Sequence, residues 1–118
     1  MLRKENRIRK DKEFDRVFKA GQSFYGKDLG LKLTKNDLNI SRFGILINTK
    51  VSKKAVVRNK VKRQLRAIIE RNISDISNGY DLVIIVFPQI LDKKFQEIEK
   101  ILLNSLFKLK VYKIKLSR

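Results

Sequence analysis

At 118 residues the chain has the length of one small domain, and 29 Lys and Arg against 12 Asp and Glu leave a formal charge of +17, a balance that asks for a polyanionic partner. Its 42% apolar content indicates a folded core rather than a basic tail. Histidine and cysteine are both absent, which excludes disulfides, thiolate zinc sites, an imidazole general base and the histidine pairs that cleave RNA through its 2′-hydroxyl. A nuclease built from this polypeptide alone would need clustered carboxylates around divalent metal. The longest apolar run, Leu82 to Pro88, is too short to span a bilayer, and no signal-type apolar segment follows the basic amino terminus, so a soluble, cytoplasmic protein is expected.

Residues 1–10 are mostly basic and polar and read as a flexible or loosely attached arm on a single domain spanning 1–118. A short helix follows, with Asp11 as N-cap, Glu13 in the first turn, Phe14, Val17 and Phe18 on one face, and Gly21 as the stop. The alternations Leu29, Leu31, Leu33 and Phe43, Ile45, Ile47 predict strands within 23–34 and 42–49, joined by the polar turn 35–39 as an antiparallel hairpin. A helix is predicted over about 55–72, then a break at Ser74, Ser77, Asn78 and Gly79. Tyr80 to Phe87, rich in Val and Ile, suits a strand covered on both faces. Phe95, Ile98, Leu102, Leu106 and Leu109 close the chain on a core-facing helix. The pattern predicts an α+β sandwich, with helices against a sheet of about four strands.

The helix over 55–72 carries the chemistry. From Lys50 to Arg66, eight of seventeen residues are Lys or Arg and none is acidic. Val57, Val61, Leu65, Ile68 and Ile69 form an apolar arc, while Arg58, Asn59, Lys62, Arg63 and Arg66 gather on the adjoining one. A solvated face intersperses both signs; this one accepts repulsion at Arg58 with Lys62 and at Lys62 with Arg66, which a run of phosphates would relieve. Guanidinium forks chelate phosphate oxygens, lysines act as point charges, and the Asn59 amide both donates and accepts. Self-repulsion on this scale predicts a free protein of marginal stability that gains from sulfate, phosphate or RNA.

The string from Arg58 through Asn59, Lys60, Val61, Lys62, Arg63, Gln64 and Leu65 to Arg66, preceded by Lys50, resembles the signature of the bacterial ribonuclease P protein subunit. Asn6 to Arg9, Glu13, Phe14, Val17 to Lys19 and Gly21 resemble that family's opening segment in order and spacing. Two positions depart from its pattern: Lys60 replaces the second arginine of an Arg-Asn-Arg core, and Lys53 stands where a glycine is common. The resemblance implies a left-handed β-α-β crossover carrying the basic helix. It also implies a noncatalytic subunit of a ribonucleoprotein endonuclease that removes the 5′ leader of precursor tRNA, with Mg²⁺ held mainly by the catalytic RNA. Arg58, Asn59, Lys60, Lys62, Arg63 and Arg66 would then bind that RNA, and Phe14, Phe18, Lys50 and Lys53 would border a cleft for the single-stranded leader. Where the family often adds a further aromatic, either Lys32 or Tyr25 would serve.

Spacing alone favours a core place for Phe14 and Phe18, and leaves Lys50 and Lys53 either as ordinary loop lysines or as part of an anion site at the N-terminus of the basic helix. Asp11 with Asp15 suits a helix start, and Glu97 with Glu99 do not share a helical face, so neither pair reads as a metal cage. A general RNA-binding or ribosomal-type protein accounts for the charge equally well. A self-contained nuclease fits poorly, and a peripheral membrane protein would need apolar faces that look committed to a core.

Overall fold

The computed structural model describes residues 2–113. In chain order the elements are α1 (Asp11–Ala20), β1 (Gln22–Tyr25), β2 (Leu29–Lys35), β3 (Arg42–Leu46), α2 (Ala55–Asn72), β4 (Tyr80–Val86) and α3 (Phe95–Lys108). Short 3-10 helices lie at Lys4–Asn6, Ile73–Asp75 and Pro88–Asp92. Helix α1 starts one residue earlier than the Asp11 cap predicts: Lys10 is the N-cap, and the Glu13 carboxylate reaches back to accept the Arg9 and Lys10 N–H groups at 3.2 Å each. The basic helix α2 has the predicted bounds.

The four strands form one mixed sheet in the order β1-β2-β4-β3, with β3 parallel to β4 and the other pairs antiparallel. Two strand expectations need correction. The strand read within 23–34 is two, β1 and β2, which make the hairpin between themselves. β2 and β3 do not pair, because β4 lies between them and α2 carries the crossover from β3. The reason is in β4: its residues are apolar toward both faces, so it is most stable at the centre with a neighbour on each side. The shorter β3, with Leu46 exposed, takes the edge.

The two faces of the sheet differ. On one, Leu29, Leu31, Leu33, Leu82, Ile84 and Val86 pack under Val61, Leu65, Ile68 and Ile69 of α2 and Ile98, Leu102 and Leu106 of α3. On the other, α1 covers a small cluster of Ile8, Val17 and Val83, with Phe14 and Ile85 against it. Beside that cluster sits Asp81, fully buried. Arg42 donates Nε and Nη2 to its two oxygens at 2.9 and 2.7 Å, Asn36 Nδ2 donates to Oδ1 at 2.9 Å, and Arg16 Nη2 donates to Oδ2 at 2.9 Å. Arg42 Nη1 also reaches Glu13 Oε2 at 2.8 Å, which ties α1 to the sheet. Burial pushes the Asp81 carboxyl up, but the hydrogen bonds from Arg42 and Asn36 and the arginine charge outweigh it and hold it below the ordinary value.

The amino-terminal segment is not the loose arm expected. Leu2 enters the larger core, Asn6 Nδ2 donates to the Ser41 carbonyl at 2.8 Å, and the Ile8 N–H donates to the Phe43 carbonyl at 2.9 Å. Arg7 bridges Phe43 in parallel, so this segment extends the sheet past β3. An open strand edge needs such a cover, and two apolar side chains among the basic ones suffice to anchor it. No helix among the described residues is long and apolar enough to cross a membrane.

Candidate nucleic-acid interface

Helix α2 buries Val61, Leu65, Ile68 and Ile69 and turns its basic arc outward. Asn59, Lys60 and Arg63 are exposed, and Arg58, Lys62 and Arg66 are half-buried. Arg58 has a structural task as well: its Nη1 donates to the Ser52 carbonyl at 2.9 Å and braces the loop ahead of the helix. In that loop Val51 plugs the core, and the Lys50 N–H donates to Asn48 Oδ1 at 2.9 Å. No side chain caps the first turn of α2, and no acidic residue stands there, so the positive end of the helix adds to the lysines around it.

The aromatic residues occupy the α1 face of the sheet. Phe14 is half-buried, its ring against β3, where a Cβ at Gly44 would lie 2.5 Å from the ring. Phe18, 37% exposed, lines an open hollow with Leu46, Ile47, Asn48, Ile85 and Val86. Tyr25 lies across Gly30 in the same manner as Phe14 across Gly44; a Cβ there would meet the Tyr25 ring at 2.6 Å. Lys32 sits between the rings, its Nζ 5.5 Å from the Phe18 centroid and 5.9 Å from that of Tyr25, donating to Ser23 Oγ at 3.2 Å. Lys32 and Tyr25 therefore stand on the Phe18 face together rather than as alternatives.

The structure thus separates the predicted residues into two surfaces and joins them at one point. Arg66, from the basic helix, lines a cleft of about 320 Å³ that Phe14 also lines. Lys50 stands beside the Phe18 hollow through Asn48, whereas no described contact brings Lys53 to it. Sequence reasoning missed Arg7 and Arg9, which share the Arg66 cleft, because isolated Leu2 and Ile8 gave no periodicity to read. It also passed over Asp81, although a carboxylate opening an otherwise apolar central strand signals a buried partner. Among the described residues no group of three or more Asp or Glu side chains converges as a metal cage.

Comparison with known proteins identifies the family. The Ribonuclease P family model matches residues 2–110. A ribonuclease P protein component of Clostridium botulinum (strain 657 / Type Ba4) is 44% identical over 110 residues, 92% of this chain and 98% of that one. That of Fusobacterium nucleatum is 36% identical over 107 residues, 87% of this chain and 95% of its own. Among solved structures, the Staphylococcus aureus RNase P protein superposes with a TM-score of 0.84 at 29% identity, covering 91% of this chain and 97% of that one. The Thermotoga maritima RNase P protein gives 0.79 at 33% identity, covering 86% and 96%. The chain belongs to the ribonuclease P protein family, the protein components of the ribonucleoprotein endoribonuclease that processes tRNA 5′ leaders.

Proposed function

We propose that the polypeptide is a noncatalytic binding subunit, working in the cytoplasm, that holds precursor tRNA by its leader while the basic arc of α2 grips the catalytic RNA. The observation that carries this reading is the meeting of the two surfaces at Arg66, which shares one cleft with Phe14. Arg58, Asn59, Lys60, Lys62, Arg63 and Arg66 bind phosphates of the ribonuclease P RNA, and Lys53 with Lys50 adds charge toward the leader. Phe14 and Phe18, with Tyr25 and Lys50, border the leader path. Unstacked bases resting on exposed rings are held with little regard to sequence, and Lys32 adds a charge between two of those rings. Mg²⁺ belongs to the RNA subunit, where it would supply an activated water and neutralise phosphate charge. The chain's own contribution is to bind, orient and screen repulsion between two polyanions.

The test is precursor tRNA cleavage at low Mg²⁺ by ribonuclease P RNA alone, protein alone and the mixture. Cleavage far stronger in the mixture supports the subunit reading. Cleavage by protein alone would move the active site onto the polypeptide, and RNA binding without stimulation would favour a general RNA-binding protein.

A further inference from the structure

The cleft beside β3, where the amino-terminal segment runs along its edge, collects positive charge that no described residue neutralises. Lys4, Arg7 and Arg9 enter it from the amino-terminal segment and Arg66 from α2, with Phe14 and Gly44 also lining it. The other half-buried guanidiniums on the α1 face and at the start of α2 have partners: Arg42 has Asp81 and Glu13, and Arg58 has the Ser52 carbonyl. Among the described residues, Arg7 and Arg66 have no side-chain partner. The Arg7 Nε is buried with no hydrogen-bond partner, although the backbone on either side of it is fixed by Arg7 N–H to Lys4 O at 3.1 Å and Ile8 N–H to Phe43 O at 2.9 Å. Arg66 has neither hydrogen bond nor ion pair among the described residues, and burial together with the Arg7 charge disfavours its charged form. Glu5 and Glu13 line the adjoining groove, and Glu13 is already taken by Arg42 and two backbone N–H groups.

A buried donor without an acceptor and two like charges facing one cleft form a costly arrangement unless an anion completes it. We propose that Arg7 and Arg66 form a clamp for a single phosphate group, the two guanidiniums donating to its oxygens and Lys4 and Arg9 supplying charge at the rim. The clamp deepens the reading above and rests on it for the source of the phosphate, a backbone phosphodiester of bound RNA. Filling it links the amino-terminal segment to α2 across the edge of β3, so residues that looked like a loose arm become part of the RNA grip.

The clamp itself is tested on the free protein by following arginine Nε–H resonances while inorganic phosphate replaces chloride at constant ionic strength. The Arg7 and Arg66 signals are expected to move together and saturate, and Arg7→Gln to abolish the Arg66 movement while the β4 amide signals stay in place. Movement confined to Arg58 and Arg63, with Arg7 unaffected, would overturn the clamp. Should Arg7→Gln detach its segment, Arg66→Gln, which leaves the Ile8–Phe43 bond intact, decides the matter by whether the Arg7 signal still responds. Assembly with ribonuclease P RNA at rising KCl then identifies the source. Each variant is expected to flatten the salt dependence by about one phosphate contact, and the double variant by no more than either, because the phosphate is shared. A phosphate response with unchanged salt slopes would overturn RNA as the source. Flattened slopes without stimulated leader removal would instead overturn the processing role and leave the clamp standing.

Discussion

The two faces of the sheet are built on opposite terms. Under α2 and α3 the contact is apolar throughout, from Leu29 to Val86 on the strands and from Val61 to Leu106 on the helices. Under α1 a cluster of three buried residues is flanked by an ion network at Asp81 and by the open hollow at Phe18. One strand serves both: β4 turns Leu82, Ile84 and Val86 to the first face and Asp81, Val83 and Ile85 to the second. The apolar face carries enough of the stability for the α1 face to leave rings and cations open, and strand alternation keeps the two tasks apart.

Breaking the ion network is expected to have the largest effect. Asp81→Ala strands Arg42 and Arg16 without their acceptor and is expected to cost about 3–5 kcal/mol, measured by urea unfolding. An unfolding midpoint close to the parent's would show that α1 holds without it. The same network sets an acid limit. Asp81 and Glu13 are both held below their ordinary values of 3.8 and 4.5, so their stabilisation is complete above those values and disappears as pH falls through the lower folded ones. The parent is expected to lose stability on acidification below about pH 4.5, and Asp81→Ala to lose less over the same range.

Leu65→Ala probes the opposite face. Leu65 is wholly buried between α2 and the sheet, and its truncation is expected to cost about 2–5 kcal/mol without altering RNA affinity once the folded fraction is accounted for. A separate loss of affinity in the folded fraction would mean that packing under α2 also sets the geometry of its basic arc. Phe18→Ala is expected to do the reverse. Stability changes little, since the ring is over a third exposed, while the preference of the holoenzyme for precursor over mature tRNA weakens by about 1–3 kcal/mol. Equal affinities for the two RNAs in the parent would remove Phe18 from the leader path.

How much of this was legible depended on periodicity. The bounds of α2 and the burial of Val61, Leu65, Ile68 and Ile69 follow from residues spaced by three and four. Strand pairing did not, because alternation says which side a residue faces and nothing about which strand lies next to it; β4 entering between β2 and β3 is a tertiary outcome. The hairpin turn at residues 26–28 was hidden within one apparent run. In the site, residue types named the basic arc and the resemblance named Phe14 and Phe18, but only the fold could place Lys32 between Phe18 and Tyr25 or set Arg7 against Arg66.

The smallest effect on the fold belongs to Arg63, and for that reason it gives the cleanest reading of the basic arc. It is exposed on α2 with no role in the core, so Arg63→Ala is expected to shift stability by about 0.5 kcal/mol or less. Its effect appears in assembly with the RNA, where loss of one phosphate contact reduces the slope of log affinity against log salt by about 0.7 to 0.9. Arg58→Ala on the same arc is expected to flatten that slope and also to loosen the loop held by the Ser52 carbonyl, lowering stability as well. A salt slope unchanged by Arg63→Ala would put that side chain outside the interface and shift the RNA contact toward the Arg66 side of α2, where the basic arc meets the cleft lined by Phe14.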